Sequence, residues 1–161
     1  MAKSLSLVTI PTPTLRERSV EVDKSKIGTP EFQTFLDNLM ETMFVEDGIG
    51  IASPQVGRNE RIFIVNEKKG PAAYINPTVE LLTDLTEESH EGCLSVPKAS
   101  GIVMRAKKVR VTALNRHGRS VSVTAKGYMA TVYQHEFDHI EGILYIDKAV
   151  KIIKGGEAAR V

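Results

Sequence analysis

The sequence predicts an α+β fold, with strands in the middle of the chain and an amphipathic helix on either side of them. Three observations carry this reading. An apolar stripe at helical spacing covers residues 32–44, apolar and polar residues alternate over 109–124, and a second helical stripe lies between Gly127 and Gly142. At 161 residues, 42% hydrophobic and 25% charged, the chain suits one core and one domain over residues 1–161, with 148–161 as a short tail.

From the N-terminus, the two prolines of IPTPTLRERSVEV read as an extended arm laid on the surface. Thr29 is a good N-cap, Pro30 a good first-turn residue, and Glu31 suits the positive end of a helix dipole. Phe32, Phe35, Leu36, Leu39, Met40, Met43 and Phe44 then mark one face of a helix of about four turns, ending near Gly48. This stripe is core. Residues 48–57, GIGIASPQVG, hold three glycines and a proline, which favours a tight loop with exposed backbone. Arg61 to Asn66 reads as a buried strand, and Tyr74 to Thr83 as a second, entered through Asn76-Pro77. The acidic run DLTEESHEG reads as solvated surface. Val109 to Leu114 and Ser120 to Thr124 form a hairpin joined by NRHGR, which leaves His117 as an exposed turn residue. The last helix is expected over Tyr128 to Glu141, with Met129, Val132, Tyr133 and Ile140 on its packing face.

Lys plus Arg total 21 against 20 for Asp plus Glu, a net charge of +1. That balance provides no global field for nucleic acid or an anionic membrane, though Arg105, Lys107, Lys108 and Arg110 could form a local basic patch. The opening MAKSLSLVTI lacks the apolar centre of a secretory signal, and no apolar run is long enough to span a bilayer. With Cys93 as the one cysteine, no intramolecular disulfide forms, and the cytoplasm is the expected compartment.

The chemistry concentrates in His135-Glu136-Phe137-Asp138-His139. Positions four apart share a helix face, so both imidazoles can reach one ion. Glu136, beside the first of them, can accept a proton from water at that ion. Two metal-free core histidines would leave a costly polar cluster to bury. A catalytic centre usually takes a third protein ligand. One protease class continues the motif with Gly and then a third His; here Gly142 is present but Tyr145 fills the His place, which excludes that class. Glu157 follows at the spacing of another class, yet lies in the terminal GGEAARV. Cys93, in HEGCLSVP, completes an ordinary set for Zn(II) or Fe(II) and is the preferred third ligand. His90 is the second choice and reads more simply as a loop histidine.

GIGIASPQVG, EGCLS and HEFDH, in this order and spacing, resemble the three signature motifs of peptide deformylases. The likeness extends to the arm at residues 12–16 and to the intervening strands, and so covers nearly the whole chain. It implies antiparallel and mixed β-sheets packed around a central metal-binding helix, with one long helix in the N-terminal half. It implies hydrolytic removal of the formyl group from the N-terminal formylmethionine of newly made polypeptides, releasing formate. By the same resemblance, Cys93, His135 and His139 are the metal ligands and Glu136 is the general acid/base. The Gln55 side-chain amide and the Leu94 backbone N–H form the oxyanion site. Gly50 and Gly92 let an extended peptide pair with the enzyme backbone, and Ile49, Glu91, Tyr128 and Val132 surround the methionine side chain. Glu91 and Arg105 match a supporting ion pair.

The family favours Fe(II) and accepts Ni, Co or Zn. Ser53 and Thr131 depart from the commoner Ala and Arg. Many bacterial members end in a long helix that docks on the ribosome, whereas GGEAARV is not expected to form one, so tail-mediated docking is not expected here. A metalloendopeptidase would share the His-Glu-x-x-His helix; the cysteine and the missing third His argue against it. A degenerate metal-binding homologue would have lost some of these residues, and all are present.

Overall fold

The computed structural model describes residues 1–156; Glu157, weighed above as a remote ligand, lies outside them. Helix α1, Pro30–Val45, begins as its residues dictate, with the Thr29 hydroxyl accepting from the Phe32 N–H. Its stripe of Phe32, Leu36, Leu39 and Met43 is buried. A five-stranded antiparallel sheet follows, in the order β1-β2-β3-β6-β7: β1 Gly50–Ala52, β2 Ile62–Glu67, β3 Gly70–Leu81, β6 Lys108–Leu114 and β7 Ser120–Lys126. A separate three-stranded antiparallel sheet runs β4-β5-β8, from Thr86–Cys93, Val96–Ala106 and Lys151–Lys154. Helix α2, Gly127–Ile140, and the single turn α3, Tyr145–Lys148, complete the fold.

Ile62-Phe63-Ile64-Val65 is apolar throughout because both faces of β2 are covered there. Ile62 and Ile64 meet Leu36, Leu39 and Met43 of α1. Phe63 and Val65, pointing the other way, meet Ala130, Val132, Tyr133 and Ile140 of α2. A third cluster, Val96, Val103, Leu144 and Tyr145, joins the small sheet to α3. The central helix therefore packs on the large sheet, and its continuation into α3 packs on the small one.

The structure departs from the sequence reading in five places. The glycine-rich stretch is not loop alone: Gly50–Ala52 form an edge strand, and Ser53–Val56 a 3-10 turn ended by Gly57 at φ +80°. Most of the acidic run is strand β4, in which exposed Glu88 and His90 alternate with the inward-facing Ser89 and Glu91. Residues 96–106 form β5, a strand that GIV and its polar flanks do not advertise. Arg105 belongs to no basic patch, since its side chain is 2% exposed and bound to carboxylates. The N-terminal arm is only partly superficial: Leu15 and Val22 are buried, and Pro13–Arg16 make a 3-10 turn. Among the described residues, no helix is long and apolar enough to cross a membrane.

Candidate active site

Helix α2 opens on Gly127 at φ +61°, and Gly142, two residues past its end, lies at φ +73°. A Cβ at 142 would stand 2.7 Å from the Arg16 carbonyl oxygen, so only glycine lets the N-terminal arm pass over the helix end. Within α2, His135 and His139 share a face as their spacing requires, with Nε2 atoms 3.2 Å apart. Cys93 ends β4 and brings its Sγ to 3.4 Å from His139 Nε2. The three donor atoms lie within 4.8 Å of one another. Tetrahedral bonds of about 2.0–2.1 Å to nitrogen and about 2.3 Å to sulfur place neighbouring donors about 3.4–3.6 Å apart. The 3.2 Å and 3.4 Å spacings come within about 0.2 Å of that geometry, so this donor set fits one divalent transition-metal ion.

The ligand candidates have unequal support. His135 Nδ1 lies 2.7 Å from Glu91 Oε1, an arrangement that fixes the ring and its tautomer. Arg105 binds both Glu91 oxygens, at 2.9 and 2.8 Å, and Asp138 Oδ2 at 2.6 Å. Burial pushes the Glu91 carboxyl up, but the Arg105 and His135 bonds outweigh it and hold it at about 2. The Tyr145 ring stacks on His135 at 6.3 Å between centroids. Burial, then the charges of His135 and Arg105, drives His139 well below the usual imidazole value. Two protonated rings cannot coexist at this separation, and a shared cation removes the conflict.

Glu136 is buried, with Oε2 unpartnered, and burial pushes its carboxyl up to about 7. Gln55 comes from the 3-10 turn after β1. Its Oε1 accepts from the Ala52 N–H at 2.9 Å, which turns Nε2 toward Cys93 Sγ at 3.6 Å and Ser95 Oγ at 3.3 Å. Gln55, Cys93, Leu94, His135 and Glu136 line one cleft of about 610 Å³. Ile49, Gly50, Glu91, Gly92, Tyr128 and Val132 line the same cleft. His139 closes the donor set from beneath, 1% exposed. His90 also borders the cleft but lies outside the donor cluster. Sequence reasoning assigned no role to Ser95, Asp138 or Lys148. Asp138 was visible within the motif, but its partners are remote in the chain and nothing local announces them.

A sequence profile of polypeptide deformylases matches residues 4–154. The peptide deformylase of Halothermothrix orenii is 42% identical over 150 residues, covering 92% of this chain and 95% of its own. That of Desulfitobacterium hafniense is 41% identical over 145 residues, covering 90% and 94%. The crystal structure of peptide deformylase from Thermotoga maritima superposes with a TM-score of 0.86 at 36% identity, covering 91% of this chain and 97% of that one. With the motifs, the sheet order and the donor cluster in agreement, the chain belongs to the polypeptide deformylase family, metal-dependent hydrolases that remove the N-formyl group from nascent polypeptides.

Proposed function

We propose that this chain deformylates N-terminal formylmethionine with Cys93, His135 and His139 holding one divalent ion and Glu136 moving the proton. The observation that carries this reading is the convergence, in one cleft, of three metal donors, a buried carboxyl poised near neutrality and an oriented amide. A divalent ion bound there supplies Lewis acidity, lowering the pKa of a water and polarising the formyl carbonyl. Glu136 takes the proton as the water oxygen bonds to the formyl carbon. It then gives that proton to the amine nitrogen as the C–N bond breaks, leaving formate and a free N-terminus. A carboxyl near 7 is suited to both transfers. Gln55 Nε2 and the Leu94 N–H meet the charge that builds on the carbonyl oxygen, each such donor being worth about 3 kcal/mol.

Strand β1 is a sheet edge, and it borders the cleft at Gly50. An extended substrate peptide adds to it as a further strand, with Gly92 on the opposite wall. Ile49, Tyr128 and Val132 border the methionine side chain. Glu91 also lines this wall, but its oxygens are engaged by Arg105 and His135, so it acts by orienting His135. The thiolate-imidazole donor set suits Fe(II) as the native ion and Zn, Ni or Co as substitutes. A reducing cytoplasm keeps Cys93 available as a ligand. The nascent-chain substrate puts the enzyme's work near the ribosome, and no docking role is proposed for residues 151–154, which fold as strand β8.

The test is an anaerobic assay of formate release from formyl-Met-Ala-Ser, with metal analysis of the same sample. Metal-loaded protein that releases no formate overturns the reading. Glu136→Ala is expected to keep the ion and lose turnover by orders of magnitude. Equal cleavage within formylated and unformylated peptides would favour the endopeptidase alternative.

A further inference from the structure

His135 connects to the protein surface through an unbroken chain of charged hydrogen bonds. His135 Nδ1 meets Glu91 Oε1, Arg105 spans Glu91 and Asp138, and Lys148 Nζ donates to Asp138 Oδ1 at 3.0 Å. The signs alternate along the chain: Glu91 negative, Arg105 positive, Asp138 negative, Lys148 positive. Among the described residues, Lys148 is the one donor to Asp138 Oδ1. The Asp138 side chain is 8% exposed, whereas that of Lys148 is 44% exposed, so the outermost charge neutralises a buried one.

We propose that Lys148 is a positioning residue of the metal centre: by balancing Asp138 it keeps Arg105 on Glu91, and through Glu91 it orients His135. Without Lys148, two buried carboxylates compete for one guanidinium. Arg105 is then drawn toward Asp138, and the two-point hold on Glu91 loosens. This pair differs from an ordinary surface ion pair because one partner is buried and feeds a network. Nor is Lys148 needed elsewhere. Glu141, the other acid on that side, already takes Arg18 at 2.9 Å and Arg61 at 3.3 Å.

The turn that carries Lys148 is itself held. Asp147 accepts from the Leu144 N–H at 2.9 Å and pairs with Arg16 at 2.5 Å. Tyr145, in the same turn, stacks on the His135 ring. Helix α3 thus reaches His135 twice, through a ring face and through a relay of charge.

The inference rests on His135 being a metal ligand, and the test separates the two claims. Zn(II) and Co(II) affinities are measured by chelator competition, at a temperature where every variant is folded by circular dichroism. A wild-type protein that binds neither ion refutes the ligand assignment and this inference with it. If wild type binds, Lys148→Met is expected to weaken affinity about fivefold to tenfold, somewhat less than loss of a direct second-layer partner. Lys148→Arg should stay within about twofold of wild type, and kcat of Lys148→Met should fall while KM holds. Adding Asp138→Asn to Lys148→Met removes the unbalanced charge and should recover most of the lost affinity. Lys148→Met affinity within about twofold of wild type overturns the inference, as does a double variant that recovers nothing.

Discussion

Glu136 Oε1 stands 2.6 Å from where a Cβ on residue 50 would be, so Gly50 and the carboxylate proposed to move the proton share one space. The glycine's value here is room rather than backbone freedom, since its φ is not positive. Gly92 differs: a Cβ there would meet only the Ala99 oxygen, at 3.4 Å. Gly50→Ala is therefore expected to displace Glu136 and cut kcat about 100-fold, the scale of a 1 Å misplacement. Metal content should be unchanged, because the three donors lie elsewhere. Kinetics and metal analysis of one preparation check both halves, with Gly92→Ala as the milder comparison.

Acid should unfold this protein partly through Glu91. Its carboxyl is held at about 2 in the fold against the ordinary 4.5, so the folded state binds the proton less tightly than the unfolded chain does. The resulting stability is complete above about pH 5 and is lost as pH falls through 4.5 toward 2. It amounts to about 3 kcal/mol. Denaturant titrations from pH 6 to 3 should show that decline, and Glu91→Gln should flatten it.

Alkali should act through buried phenols. Tyr74 and Tyr133 place their hydroxyls 3.1 Å apart, and both donate to Glu67. Burial, followed by the Glu67 bond, raises both above the ordinary 10, and burial pushes Tyr145 up to about 12. The unfolded chain ionises first, so stability is intact below pH 10 and falls above it. Each phenol contributes a slope of up to about 1.4 kcal/mol per pH unit. Melting curves from pH 8 to 11.5 should show the loss beginning near 10, and Tyr133→Phe should reduce its steepness.

Removing the ion should soften the whole fold. Cys93 ends β4 in the small sheet, and the histidines belong to the helix packed on the large one. An ion among them ties the two together. At 100 times its dissociation constant it adds about 2.7 kcal/mol. That corresponds to roughly 5–10 °C in melting temperature for a chain of this size. Calorimetry before and after chelation, then after adding Zn(II), measures the difference; equal transitions would contradict the cross-link.

The long-period elements were legible because one local rule governs each of them. Thr29, Pro30 and the Phe32–Met43 stripe specify α1, and the NRHGR turn specifies the hairpin β6–β7. The donor spacing in α2 was legible for the same reason. Strands β4 and β5 were not, because their residues obey distant partners. By local pattern alone Glu91 and Arg105 look like solvated charges, and only the family resemblance paired them; the register Glu87↔Arg105, which turns one strand's inward row onto the other's, is what brings them together. Asp138 and Lys148 are hidden in the same way, since charge pairing across α3 leaves no period in the sequence. Gln55 could be named from its motif, but the bond to Ala52 that aims its amide is a fact of three dimensions.

Cys93, the single sulfhydryl of the chain, lies half-buried at the floor of the cleft. Stoichiometry and location therefore coincide. One equivalent of a thiol reagent consumed is one centre modified, with no background from other cysteines. The rate of that consumption, followed by colour or mass, measures how often the sulfur is free of a bound ion, without substrate and without turnover.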